Sequence, residues 1–154
     1  MPLTPSLLAK LSADHPAVQF HQAEEFLWSP EEHAVFYATN VKDADALLLH
    51  ELAHGLLDHH TYNQDVSLVT IEMQAWEKAR ELAITYGVTI DEEALQDHLD
   101  TYREWLHSRS SCPECEAIGY EEKPRHYRCL ACAHLWRVND ARLCALRRYN
   151  ATKK

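Results

Sequence analysis

Residues 48–56 read Leu-Leu-His-Glu-Leu-Ala-His-Gly-Leu, inside an apolar segment at 41–60 that predicts a buried helix. Successive helical residues turn by about 100°, so His50 and His54 project within about 40° of each other, one turn apart, and both can reach one metal ion. Glu51 lies too far round the helix to be a convenient ligand, but it is well placed to hold a water molecule bound to the same ion. We therefore predict half of a zinc site, with Glu51 as its general base.

The other face of this helix is hydrophobic, and four leucines would fix the helix against a core. They are Leu48, Leu49, Leu52 and Leu56. The alternative interpretation is an ordinary helix that contains two histidines by chance, because short motifs do recur without a function.

The length of 154 residues suffices for one medium domain, or a domain with a small appendage, that buries a core without disulfides. Residues 1–13 lack the pattern of a signal peptide, and no segment approaches the roughly 18 apolar residues of a membrane span. We expect a cytoplasmic protein that makes no contact with a membrane.

Charge is distributed unevenly along the chain. Residues 1–122 hold six of the 15 Lys and Arg and 23 of the 24 Asp and Glu, a net charge of −17, whereas residues 123–154 hold nine basic residues and one acid, a net charge of +8. The acidic part argues against general nucleic-acid binding. The basic part could bind nucleic acid through phosphate contacts and base stacking on Tyr127 and Trp136, or could dock on the acidic part of the same chain.

Periodicity predicts an α+β fold whose first part contains a short helix and two strands. Residues 5–12 form the helix, residues 26–28 and 34–38 form the strands, and the two strands are expected to pair. The helix with the histidines comes next, opened by acidic residues within 42–45 that suit a helix N-terminus.

A polar loop at 58–67 separates the histidine helix from a second long helix at 68–86. Glu72 falls in the middle of the apolar face of this second helix, where a carboxylate must be paired or bound to a metal because burying it alone is costly. The segment 89–92 has the spacing of a capping box and opens a third helix, which is expected to end near His107.

A catalytic zinc ion usually takes three protein ligands and leaves one position open for water. We favour Glu72 as the third ligand. His60 has the spacing of the pattern His-Glu-x-x-His-x-x-Gly-x-x-His, but Leu57 occupies the glycine position that lets the chain turn sharply. Asp58 lies on the correct face, but it suits a supporting hydrogen bond equally well. Without a metal, Glu72 would be a buried acid paired with an arginine or a tyrosine.

The motif at 50–54, followed on the next helix by Glu72-Met73-Gln74-Ala75, resembles the ImmA/IrrE family of zinc metallopeptidases over residues 26–86. The resemblance implies a zincin-like fold, in which the motif helix follows a small sheet, and a substrate such as a repressor. Gln74 stands where such proteins often carry a second acid, and Ala75-Trp76 replaces their Ala-Asn pair. The zinc ligands that the resemblance implies are His50, His54 and Glu72, and the base is Glu51.

Four of the five cysteines form two Cys-x-x-Cys pairs separated by 13 residues. The pairs are Cys112 with Cys115 and Cys129 with Cys132. Four thiolates at this spacing can converge tetrahedrally, which predicts a closed structural zinc site, with a redox pair or an iron site as alternatives. Glu116 and Ala133 replace the usual glycine after each pair, so the turns are expected to be less regular.

The surroundings of these cysteines predict a zinc ribbon. Strands are expected around Tyr120, Tyr127 and Trp136, and a basic helix at 140–149 is expected to end the chain. The ribbon gives a second resemblance, to the SprT-like proteases, which also join the His-Glu motif to a zinc ribbon. Their third ligand is a histidine in the following segment, and residues 64–71 contain none, so this likeness fails where the chemistry requires it.

We predict two domains, a zincin-like metallopeptidase domain at 1–109 and a four-cysteine zinc ribbon with a basic terminal helix at 110–154. Two zinc ions are expected, one catalytic and one structural. The expected activity is hydrolysis of a peptide bond in a protein substrate, such as a regulator or a DNA-bound protein, with zinc polarising the carbonyl and Glu51 moving protons. The alternative is a non-catalytic module that binds nucleic acid or protein on a zincin scaffold, and the presence of Glu51 argues against it.

Overall fold

The computed structural model describes residues 3–59 and 64–138, together with the backbone of a strand at Arg148–Asn150. These parts confirm the predicted α+β class. Their helices are α1 (Pro5–Asp14), α2 (Ala44–Leu56), α3 (Asp65–Tyr86) and α4 (Glu92–Ser110). Their strands are β1 (Gln19–Gln22), β2 (Leu27–Ser29), β3 (Ala34–Tyr37), β4 (Gly119–Lys123), β5 (His126–Cys129), β6 (Leu135–Val138) and β7 (Arg148–Asn150). Across these ranges, no helix has the length and apolar character that a membrane crossing requires.

Two compact units make up the chain. The first comprises Met1–His60 and Ile71–Leu95, and the second comprises Thr61–Thr70 and Gln96–Lys154. The predicted domain boundary between residues 109 and 110 lies inside the second unit, because the end of α4 and the beginning of α3 bond to the ribbon.

The sheet of the first unit has the strand order β1-β3-β2. The central strand β3 is buried at Ala34 and Val35, and it pairs in parallel with β1 and antiparallel with β2. The predicted pairing of the segments 26–28 and 34–38 is confirmed. Strand β1 was not predicted because its residues are mostly polar and exposed, without the alternation that marks a strand, and its extended form depends on pairing with β3.

Helix α2 packs against β2 and β3. Three of its predicted core leucines are fully buried, and each such side chain contributes roughly 1.5–3 kcal/mol relative to an exposed position. They are Leu48, Leu49 and Leu52. The indole of Trp28 on β2 approaches Gly55 so closely that a Cβ on Gly55 would lie 2.7 Å from the ring. Glycine at this position therefore allows the strand to contact the helix that carries the histidines.

Helix α3 begins earlier than predicted and buries the predicted face. Glu72 lies in that face among buried apolar residues, which are Ala75, Trp76, Ala79 and Ala83. The helix stops before Gly87, whose φ of 68° is a left-handed conformation that glycine adopts at little cost.

The start of α4 differs from the predicted capping box. The helix begins at Glu92, and the side chain of Asp91 accepts a hydrogen bond from the backbone N–H of Glu93 at 3.1 Å. Thr89 is therefore not the cap, and the prediction was wrong because Asp91, closer to the helix, offers a carboxylate in the N-cap position. Glu92 instead pairs with Arg80 of α3.

The sheet of the second unit has the order β4-β5-β6-β7, with every pair antiparallel. Tyr120, Tyr127 and Trp136 lie in strands, as predicted. The rings of Tyr127 and Trp136 stack 5.5 Å apart in the core of the ribbon, where both are buried. The expectation that these two rings are free to stack on nucleic-acid bases is therefore wrong, because so small a sheet needs its largest side chains for its own core.

The predicted terminal helix at 140–149 is not supported at its end. Arg148 and Tyr149 lie in β7, whose backbone pairs with β6 opposite Val138 and Arg137. Pairing with an existing strand overrides the local helical preference. The remainder of the predicted helix, with Cys144, lies outside the described residues.

A buried ion pair joins both helices of the second unit to the ribbon. Arg109 donates from Nε to Oδ2 of Asp65 at 2.9 Å, and neither side chain is more than 1% exposed. The hydroxyl of Tyr127 donates to the same carboxylate, and the indole N–H of Trp136 donates to the carbonyl oxygen of Arg109 at 2.9 Å. The two charges are thus paired, the carboxylate accepts a further hydrogen bond from Tyr127, and the backbone of Arg109 is held by Trp136.

Candidate metal centres

The first candidate centre lies between α2 and α3 in the first unit. Helix α2 places His50 and His54 one turn apart, with their ring centroids 4.7 Å apart and both residues buried. Glu72 on α3 meets both rings, since its Oε2 lies 2.8 Å from Nε2 of His50 and 3.2 Å from Nε2 of His54. Three potential ligand atoms therefore converge on one point from two helices.

These distances fit a small tetrahedral cation. Ligand atoms about 2.0–2.2 Å from a zinc ion, at tetrahedral angles, lie about 3.3 Å from one another. The distance of Glu72 to His54 is near this value, and its distance to His50 is about 0.5 Å shorter. His50, Glu51 and His54 are one of two groups in the described ranges whose ligand atoms could hold a metal ion. We add Glu72 to that group because its oxygen contacts both imidazoles directly.

Trp76 supports the first histidine. Its indole lies parallel to the ring of His50, with a centroid separation of 4.2 Å and an interplanar angle of 7°. Stacking over a buried, flat surface restricts rotation of the imidazole and so holds its Nε2 toward Glu72. The sequence placed Trp76 on the apolar face of this helix and in the position of an asparagine of the resembled family, but neither observation predicts that its ring stacks on His50.

The charges of this cluster are strongly coupled. Burial tends to raise the pKa of Glu72, but hydrogen bonds from His50 and His54 and their positive charge outweigh burial and hold that pKa well below its usual range. Burial tends to lower the pKa of His54, but the hydrogen bond and the charge of Glu72 outweigh it and raise that pKa. The carboxylate is therefore kept ionised, which is the form that binds a metal.

Glu51 occupies a different position from the three convergent atoms. Its side chain is 15% exposed, and its Oε1 lies 3.6 Å from Nδ1 of His50, beyond hydrogen-bond distance. Burial raises the pKa of Glu51, and it outweighs the opposing charges of His50 and His54 and a hydrogen bond from the backbone of Trp28. A carboxyl group with a raised pKa beside the point where His50, His54 and Glu72 meet suits proton transfer, although its oxygen also lies near enough to both histidines to be a ligand atom.

His59 is a further member of this site, and the sequence did not predict it. Its Nδ1 lies 3.0 Å from Nδ1 of His54, and its Nε2 lies 3.1 Å from Oε1 of Gln74 on α3. The chain brings it back because α2 ends at Leu56 and Asp58 adopts a left-handed conformation with φ of 57°. A helical projection cannot place a residue beyond such a turn, so the sequence held no signal for His59.

The structure describes one of the two alternative ligands. Asp58 is exposed after the end of α2. His60 lies outside the described residues.

An open groove adjoins the turn after α2. Its volume is about 380 Å³, and its walls come from that turn and from α3. The lining residues are Leu57, His59, Gln74, Glu77, Lys78 and Glu81. One of these lining residues, His59, contacts His54 of the first candidate centre.

The second candidate centre is the cysteine cluster in the ribbon. Its four thiols are free, and Sγ of Cys112 lies 3.7 Å from that of Cys132, while Sγ of Cys115 lies 3.5 Å from that of Cys129. A disulfide requires about 2.0 Å, whereas thiolates around a tetrahedral zinc ion at about 2.3 Å lie about 3.8 Å apart. The cluster could therefore hold a metal ion, as the spacing predicted.

Both cysteine turns have the same backbone form although glycine is absent. Glu116 and Ala133 have φ of 67° and 63°, so each adopts the left-handed conformation in which glycine is usual. The N–H of Cys112 donates to the carbonyl of Ala117, and that of Cys129 donates to His134, in equivalent positions. The expectation of less regular turns is wrong, because the two turns match and the strain of the left-handed residues is tolerated.

Backbone amides favour thiolate formation within the cluster. Hydrogen bonds from the backbone N–H groups of Cys132 and Ala131 lower the pKa of Cys129 to about 6. A thiol that ionises this readily is prepared to bind a cation.

No family model, curated protein or solved structure matches the chain. The likeness to ImmA/IrrE metallopeptidases stays a prediction from the motif residues.

Proposed function

We propose that this protein is a zinc-dependent metallopeptidase with a zincin-like catalytic part, similar to the ImmA/IrrE family, that hydrolyses a peptide bond in a protein substrate. The observation that carries the proposal is the convergence of Nε2 of His50, Nε2 of His54 and Oε2 of Glu72, with Glu51 beside them. Two imidazoles and one carboxylate, with a further carboxyl group nearby, match the ligand set of hydrolytic zinc sites.

The residues of the site take separate roles in this proposal. His50, His54 and Glu72 would hold the ion. A zinc ion bound there supplies Lewis-acid chemistry, which polarises the scissile carbonyl and makes water more acidic. Glu51 accepts a proton from the attacking water and later delivers it to the leaving amine, so the proton balance closes without another acid.

The raised pKa of Glu51 supports this role. A general base must take up a proton and release it again, which a carboxyl group with an unshifted low pKa does poorly near neutral pH. The cysteine cluster would hold a second zinc ion with a structural role, since four thiolates leave no ligand position open.

The experiment is a comparison of the zinc-loaded full chain with its Glu51→Gln variant. The variant should keep both zinc ions and its stability but lose peptide hydrolysis by about 100-fold or more, because an amide cannot accept the proton. Glu31→Gln, the same change at an exposed turn position, is the matched control and should keep full activity.

The Glu51→Gln variant also serves to find the substrate, because it should bind proteins without cleaving them. If the wild type, with both sites loaded, cleaves neither a diverse peptide library nor any protein captured by the variant, the proposal fails. The alternative, a non-catalytic module that binds protein or nucleic acid, would then be the better description.

A further inference from the structure

The second ring nitrogen of His54 makes an unusual contact. While Nε2 of His54 faces Glu72, Nδ1 lies 3.0 Å from Nδ1 of His59. Metal-bound histidines in proteins most often donate their other N–H to a carboxylate, a backbone carbonyl or a water molecule. Here the partner is another imidazole, which itself reaches Gln74 at 3.1 Å.

The chemistry of these groups allows only one arrangement of protons when His54 binds a cation. Its Nε2 then uses its lone pair for the metal, so a neutral ring carries its proton on Nδ1 and donates to His59. Nδ1 of His59 must accept, which places the proton of this second ring on Nε2. That N–H donates to Oε1 of Gln74, and an amide oxygen can only accept.

The backbone holds His59 in place for this contact. Its N–H donates to the carbonyl oxygen of His54 at 2.9 Å, and its own carbonyl oxygen accepts from the indole N–H of Trp28 at 3.3 Å. The left-handed Asp58 makes the turn between the two histidines. Two hydrogen bonds thus hold the backbone of His59 in place, and neither of them requires a metal.

We propose that His59 and Gln74 are positioning residues that lock His54 in its Nδ1–H tautomer and aim its Nε2 at the catalytic metal, an inference that rests on the proposed function for the presence of that metal. Gln74 stands where the resembled family often carries a second acid, and here it offers His59 a neutral acceptor. The pair would act through His54, by raising its affinity for the metal.

The first test measures zinc affinity of the full chain by competition with a chelator, with the cysteine site kept loaded. His59→Ala should weaken binding at the first centre by about 10- to 100-fold. His59→Asn should restore most of the loss, because its Oδ1 takes the position of Nδ1 and still accepts from His54. Glu77→Gln, a change in the same groove and on the same helix as Gln74, should have no effect.

The second test needs no variant and no activity. Nitrogen-15 NMR of the zinc-loaded chain should find His54 protonated on Nδ1 and His59 protonated on Nε2. The opposite tautomer at either ring would overturn the inference, as would equal zinc affinities of wild type, His59→Ala and His59→Asn. Equal losses in both variants would also overturn it, because the acceptor would then be irrelevant.

These outcomes are separable from the fate of the proposed function. If His54→Ala strips zinc from the first centre while His59→Ala does not, the positioning role is wrong and the metallopeptidase proposal stands. If zinc affinity and tautomers behave as expected but no peptide is cleaved, the positioning role stands and the activity is wrong.

Discussion

Oε2 of Glu72 lies 2.8 Å from Nε2 of His50, although 22 residues separate them in the sequence. A buried carboxylate so close to an imidazole is either half of an ion pair or part of a ligand set. Its second contact, to His54, and the position of Glu51 beside the cluster favour the ligand set. In both interpretations, the carboxylate of Glu72 links α3 to α2.

Replacing Glu72 separates the two interpretations. The wild-type chain should carry two zinc ions, and Glu72→Ala should carry about one, because two imidazoles alone bind zinc weakly. Elemental analysis after dialysis gives the count. His21→Ala, at an exposed histidine of β1, is the control and should keep two ions. A Glu72→Ala variant that still holds two ions would exclude Glu72 as a ligand.

Stability of the metal-free protein should depend on pH through the same groups. The folded pKa of Glu72 lies below its ordinary value of 4.5, so the stability it contributes is present above pH 4.5 and is lost as the pH falls through the folded value. The folded pKa of His54 lies above 6.5, so its contribution is present below pH 6.5 and is lost as the pH rises through the folded value. The contributions overlap fully between pH 4.5 and 6.5.

Urea unfolding of the chelator-treated chain across pH 3 to 9 tests this window. Glu72→Gln should flatten the profile, since the amide carries no charge to pair with the histidines. If the wild type and Glu72→Gln have the same pH dependence, the ion pair contributes nothing to the metal-free fold.

Part of the site could be predicted because it depends on helical geometry alone. His50 and His54 lie one helical turn apart on the same helix. Glu72 is an acidic residue at the centre of an otherwise apolar stripe. Such relationships within one element follow from 3.6 residues per turn. The meeting of the two helices at Glu72 was predicted only from the cost of burying a lone carboxylate.

The rest depends on contacts that local patterns do not encode. His59 reaches the site through the turn at Asp58, β1 is held by β3, and β7 pairs with β6 in place of part of a helix. Tyr127 and Trp136 have the same sequence signal whether a ring faces solvent or a core. Their burial follows from the packing of the ribbon around the cysteines.

Each cysteine turn contains a non-glycine residue with a positive φ, so replacing such a residue by glycine should stabilise the ribbon. Ala133→Gly should stabilise the zinc-loaded ribbon by about 1 kcal/mol, because φ of 63° is strained for alanine and not for glycine. Ala131→Gly, the same change in the same turn at a position without positive φ, should be neutral or destabilising. Thermal unfolding of the two variants in parallel gives the comparison, and a destabilising Ala133→Gly would contradict the argument.

The buried pair of Asp65 and Arg109 should be far more important for stability than an exposed pair on the same helix. Arg109→Met leaves the Asp65 carboxylate buried without its cation and should cost about 3–5 kcal/mol. Arg103→Met breaks the exposed pair with Asp100 and should cost less than about 1 kcal/mol.

Urea unfolding of the zinc-loaded full chain measures both losses. Arg109→Lys should not rescue stability, because one ammonium cannot reproduce the two hydrogen bonds from Nε and Nη2 to the carboxylate oxygens. Asp65→Asn should also destabilise, since it removes the negative charge that faces the buried guanidinium. Replacing both partners together, as Asp65→Asn with Arg109→Met, removes both charges and should cost less than the sum of the single changes. Additive losses would mean that the two side chains stabilise the second unit independently, through packing and not through their mutual charge.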